Sequence, residues 1–131
     1  MSYTQPSYRK FVGREYEPPY GCFTLVRQVY EEAYDIELDS STEGLSVYDL
    51  TQRLAYLHGE LAKYAREVTI PQEGDVILLR ALPFHMGIVI DPKQKLMLHS
   101  YAGGSACIES YKLGRWKHRI LGFWRYVNDN S

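Results

Sequence analysis

Residues 85–99 read HMGIVIDPKQKLMLH, two short apolar runs around a proline-containing turn, with a histidine at each outer end. Runs of this length, bounded by turn residues, are the signature of a β-hairpin. If Pro92, Lys93 and Gln94 form a three-residue loop, Asp91 faces Lys95 and Gly87 faces His99. Side chains alternate along a strand, so His85, Gly87 and His99 then share one face, while Met86, Ile88, Ile90, Leu96 and Leu98 share the other. A loop one residue shorter or longer would separate the histidines. The glycine leaves room for another backbone to approach the histidine face, and a helix starting at Cys22 is expected there.

Working outward, PQEGDVILLR (71–80), ACIESY (106–111) and ILGFWRY (120–126) are further strand-like runs. The segments between the last four runs are too short for crossover helices, so the spacing predicts an antiparallel meander of about five strands. Helical patterns come first. In GCFTLVRQVYEEAY (21–34), Leu25, Val26, Val29, Tyr30 and Ala33 fall on one face and Arg27, Gln28, Glu31 and Glu32 on the other. A second helix is expected over 47–66, capped by Ser46, with Leu50, Leu54, Leu57, Leu61 and Tyr64 inward. Residues 1–15 read as an irregular N-terminal arm with a helical turn near 8–12. The fold class is α+β: N-terminal helices packed on an antiparallel sheet, in a single domain spanning 1–131.

The chain has 131 residues, a formal net charge of −1, 45% hydrophobic and 24% charged residues. Such a balance suits one soluble globular domain and gives no field to attract nucleic acid or an anionic membrane. The sequence offers no apolar run of the ~20 residues needed for a membrane span, and MSYTQPSYRK lacks a signal-peptide core. If the protein works outside a cytoplasm, something other than its own leader is expected to take it there. Two cysteines, Cys22 and Cys107, do not make a disulfide framework and read as free thiols.

Cys22 stands where a helix starts, near unpaired backbone N–H groups and the positive end of the helix dipole, which favour thiolate over thiol. The alternative there is a small buried hydrophobe. A thiol nucleophile needs an imidazole base, and the imidazole needs an orienting partner on its other nitrogen. Cys22, His85 and His99 supply these three parts, and helix-terminal N–H groups could hold an oxyanion. The implied chemistry is acyl transfer or amide hydrolysis through a thioester. The same three residues could instead ligate zinc, but no CxxC or HxxxH pair supports that reading. Cys107 reads as a small strand residue, His58 and His118 as surface residues, and Arg115, Lys117, His118 and Arg119 as a solvated basic turn.

In order along the chain, YGCFTLVRQVYEEAYDIEL, PQEGDVILLR, HMGIVID, LMLHSYAGGSACIESY and WKHRILGFWRY resemble the NlpC-like cell-wall cysteine peptidases, in particular the branch found in phage and prophage tail assemblies. The resemblance implies a papain-like core with Cys22 as nucleophile, His85 as base and acid, and His99 as the orienting residue. It also implies peptidoglycan peptides as substrate, phage tail-tip proteins as partners, synthesis in a host bacterial cytoplasm without a signal peptide, action at the cell wall from a virion tail, and no metal or organic cofactor. Tyr16 falls where relatives carry an aromatic whose hydroxyl approaches the oxyanion. Gly21 departs from the pattern, because many relatives have an aspartate before the nucleophile that helps hold the substrate's amino end. An inactive tail-tip assembly component with the same fold is the alternative function.

Overall fold

A computed structural model describes residues 6–16, 21–36, 65–81, 85–100 and 104–126. Among these residues two helices, α1 (Pro6–Arg9) and α2 (Gly21–Tyr34), precede six strands: β1 (Ala65–Val68), β2 (Val76–Leu79), β3 (His85–Asp91), β4 (Leu96–His99), β5 (Cys107–Ser110) and β6 (Ile120–Tyr126). They form one sheet in the order β1-β6-β2-β3-β4-β5, and each neighbouring pair is antiparallel. Strands β2 to β5 are a meander. Strand β6 then returns to pair with β2 rather than extending the sheet beyond β5.

Six strands stand where about five were expected. The additional one, β1, includes Ala65 and Arg66, which the sequence pattern assigned to the end of a second helix; the rest of that predicted helix and His58 lie outside the described residues. Arg66 and Glu67 are exposed, so this strand, at the edge of the sheet among the described residues, carries charge. Its partner β6 supplies the pairing from Phe123 to Tyr126 that a helical reading of 65–66 could not foresee. Tertiary pairing overrides local helical periodicity here.

The helix pattern of residues 21–34 holds. Leu25, Val26, Val29 and Tyr30 are buried in one cluster with Val76, Leu78, Met86, Ile88, Ile90 and Leu98. Alternation along β3 therefore decides what α2 covers: it lies against the Met86, Ile88 and Ile90 face, not the histidine face on which it was expected. Ile77, Leu79, Val89, Met97, Tyr111 and Trp116 form a second cluster on the opposite face. The short 3-10 helix Gly114–Trp116 carries Trp116 into that second layer.

Rather than hanging free, the N-terminal segment docks on the core. Tyr8 and Phe11 are fully buried, and Tyr8 donates to Glu73 at 2.7 Å and contacts the Tyr34 hydroxyl. Backbone bonds between Gly13 and Ala106 (2.8 Å) and between Ala106 and Arg14 (2.7 Å) tie this segment to the approach to β5. At the other end of the sheet, Arg125 grips the buried Asp75 carboxylate through two 3.0 Å hydrogen bonds. A two-point grip of this kind satisfies a carboxylate that burial would otherwise penalise.

The β3–β4 hairpin solves its register differently from the expected three-residue loop. Asp91 pairs with Leu96 rather than Lys95, so the loop comprises residues 92–95, and the register shifts between Val89 and Asp91. Lys95 adopts φ 61°, and the Gln94 N–H donates to Asp91 Oδ1 at 3.0 Å. One extra loop residue alone would have flipped β4, but the irregularity on β3 compensates for it. Gly87 still faces His99. What approaches Gly87 is β4: a Cβ there would lie 2.9 Å from the Leu98 carbonyl oxygen and 3.0 Å from His99 Cβ. Gly87→Ala should therefore lower stability by about 1–3 kcal/mol through overpacking. Urea unfolding checks this, and an unchanged midpoint would contradict the close approach.

Candidate active site

Strand pairing brings the two histidines together as diagonal neighbours on one face. His85 Nε2 and His99 Nδ1 lie 2.7 Å apart, and the residues are 2% and 0% exposed, respectively. Trp116 covers them, stacked on His85 at 5.3 Å between ring centroids and edge-on to His99 at 5.4 Å. The relay continues to a residue that sequence reasoning did not single out. His99 Nε2 lies 2.8 Å from Glu109 Oε1, and Arg115 donates to both Glu109 oxygens at 3.2 and 3.3 Å.

Elementary hydrogen-bond logic orders the protons. A carboxylate only accepts, so His99 donates from Nε2 and is left with a lone pair on Nδ1. His85 then donates from Nε2 to His99, and its own lone pair sits on Nδ1. Glu109 is thus the positioning residue that sets the tautomer of both rings. The signal was present in sequence: once His99 faces Cys107, Glu109 two residues along β5 must share that face. Trp116 had no comparable signal, because it reaches the histidines through a turn rather than a strand.

Burial dominates the electrostatics. Desolvation pushes His85 down to about 3, with His99 and the Arg115 cation acting in the same direction. Desolvation also lowers His99, although Glu109 opposes it. For Glu109, burial raises the carboxyl but is outweighed by hydrogen bonds from Arg115 and His99, with the Trp116 indole acting in the same direction, leaving it below its ordinary value. Both imidazoles are neutral near pH 7, and the acid is ionised.

Cys22 is the second residue of α2, placed in its first turn as expected, and is 7% exposed. It belongs to the packed cluster that contains Met86, the residue after His85. Tyr16, in the same cluster, donates its hydroxyl to Gln28 Oε1 at 2.7 Å. Burial raises the Tyr16 phenol above its ordinary range. Cys107 lies beside the histidine relay, its Sγ 3.8 Å from His99 Nε2. Both cysteines are free thiols, and His118 is exposed. Among the described residues no helix is long and apolar enough to cross a membrane.

The family model described as the NlpC/P60 family matches residues 8–125, nearly the whole chain. No curated protein matches it.

The lowered histidines make stability depend on pH in a definite sense. In the unfolded chain they take up protons near 6.5, whereas folded His85 stays neutral down to about 3. Across that window the unfolded state binds more protons, so stability is fully present above 6.5 and is lost as pH falls. The lowered Glu109 adds to the same trend in the acid range. Thermal unfolding should show Tm falling steadily between about pH 7 and pH 4, with a shallower fall in His85→Gln. A flat profile would contradict the buried neutral pair.

Proposed function

From the premise that the chain belongs to the NlpC/P60 family, which indicates a cysteine peptidase or amidase of the cell wall, we propose that it hydrolyses amide bonds in peptidoglycan peptides. Cys22 is the nucleophile, His85 the general base and acid, and His99 the residue that orients His85. The observation that carries this reading is the buried relay from Glu109 through His99 to His85, because it leaves the His85 lone pair on Nδ1. A neutral imidazole so oriented is ready to take a thiol proton.

In the proposed cycle, His85 Nδ1 removes the Cys22 thiol proton as sulfur attacks the scissile carbonyl. Backbone N–H groups in the first turn of α2 hold the oxyanion. Collapse of the tetrahedral intermediate breaks the C–N bond, and His85 passes its proton to the leaving amine. A water deprotonated by His85 then releases the acid and restores the thiol. Tyr16 lines the cleft in this reading and would exchange Gln28 for the oxyanion. No metal or organic cofactor takes part in these steps.

A phage or prophage tail setting, with tail-tip proteins as partners, is part of the same proposal. The pattern Gly21-Cys22-Phe23-Thr24 supports it, and Gly21 points to a substrate handle different from the usual aspartate. Mass analysis of defined muropeptides should show cleavage by the wild-type chain and none by Cys22→Ala, with the variant retaining its fold. Equal turnover by both would refute the assignment.

A second reading, a tail-tip assembly component without hydrolytic activity, is favoured by one observation. Helix α2 and the two imidazoles occupy opposite faces of β3, so the thiol must meet His85 at the end of that strand rather than across a shared face. A labelled thiol-directed electrophile separates the readings. Selective, pH-dependent capture at Cys22 over Cys107 is expected for the peptidase, and labelling without preference for Cys22 favours the assembly role.

A further inference from the structure

The proposed hydrolysis leaves Cys107 without a part, although it stands directly beside the relay. Cys107 and Glu109 project from the same face of β5, and His99 projects from β4 opposite Cys107. Their donor atoms, His99 Nε2, Cys107 Sγ and Glu109 Oε1, all lie within 4.8 Å of one another. The nitrogen is 3.8 Å from the sulfur and 2.8 Å from the oxygen. Around a tetrahedral zinc ion with bonds of about 2.0–2.3 Å, neighbouring donors stand roughly 3.3–3.8 Å apart. The N–S separation already fits, and the N–O pair needs to open by about half an ångström.

We propose that His99, Cys107 and Glu109 form a binding site for a divalent cation of the zinc type, and that its occupancy switches off His85 as a base. Imidazole, thiolate and carboxylate together suit zinc, whereas an oxygen-only set would suit magnesium or calcium. Thiolate and carboxylate balance the charge of the ion. Glu109 can keep Arg115 Nε on Oε2, 3.3 Å away, while Oε1 turns to the metal. Both Cys107 and Glu109 are partly exposed, giving the ion a route from solvent and leaving a fourth position for water.

The switch follows from proton placement and rests on the proposed Cys22–His85 chemistry. A metal takes the lone pair of His99 Nε2, so the single proton of that neutral ring must sit on Nδ1. From there it donates across the 2.7 Å contact to His85 Nε2. His85 then carries its own proton on Nδ1, where the uncharged thiol needs a lone pair. Each ring exchanges one tautomer for the other, and the only net proton lost to solvent is that of the Cys107 thiol. Because the donors stand on paired strands, the opening of the N–O pair and any closing of the sulfur–oxygen pair fall to side-chain rotation.

The site is tested in the 131-residue Cys22→Ala chain, in which Cys107 is the remaining thiol. Titration with cobalt(II) should produce a thiolate-to-metal charge-transfer band that saturates at one ion per chain and is displaced by zinc. Adding Cys107→Ser, a change close in volume, should abolish the band and weaken zinc binding by at least ~100-fold. A folded Cys22→Ala chain without the band, or zinc affinity unchanged by Cys107→Ser, overturns the site. Nitrogen-15 NMR of the imidazoles should show the His85 proton moving from Nε2 to Nδ1 when zinc is added, and an unmoved proton overturns the switch. With Cys22 restored, zinc should suppress muropeptide cleavage reversibly, and Cys107→Ser should keep its metal-free rate and resist zinc. Equal inhibition of both chains also overturns the switch. Absence of cleavage even with a chelator refutes the peptidase reading, while the cobalt titration still decides the site.

Discussion

The close approach of β3 and β4 at Gly87 is the constraint on which the site depends. Without a side chain at Gly87, the Leu98 carbonyl and His99 Cβ come near enough for the His85 and His99 rings to meet at 2.7 Å. The same pairing carries His99 into line with Cys107 on the next strand, which in turn brings Glu109 onto the relay. A slip of one residue anywhere in this hairpin would send His99 into the apolar layer under α2. The compensated loop at residues 92–95 therefore decides the pairing of the two histidines.

Two buried imidazoles are an expensive arrangement unless each nitrogen has a defined role. Here neutrality lowers the cost of desolvation, and the chain from Glu109 to His85 supplies directional hydrogen bonds within a shell closed by Trp116. Arg115 balances the Glu109 charge from the solvent side. Such a network is sensitive to what happens at its outer end. Anything that competes with Glu109 for His99 Nε2 is transmitted through one short contact to His85, because each neutral ring has a single proton to place.

The apolar layer and the histidine layer divide the labour of the sheet. One face holds α2 and the docked N-terminal segment through Leu25, Val29, Tyr8 and Phe11. The other keeps its polar groups beside a smaller cluster around Trp116. Alternation lets the strand residues serve both layers at once, so the core and the site are positioned by the same backbone hydrogen bonds. This coupling explains why Gly87 belongs to both stability and chemistry.

Local periodicity made much of this legible. Whereas the shared face of His85 and His99 needed the irregularity on β3 to offset a loop longer than expected, the spacing of residues 21–34 determined α2 and the place of Cys22 in its first turn. Those features depend on geometry repeated within a few residues. Tertiary structure alone decided which face of β3 α2 covers, that residues 65–68 become an edge strand, and that Trp116 closes over the imidazoles. It also decided that Cys107 and Glu109 converge on His99. Each of these outcomes depends on how distant segments pair and pack, and neither helical nor strand periodicity encodes that choice.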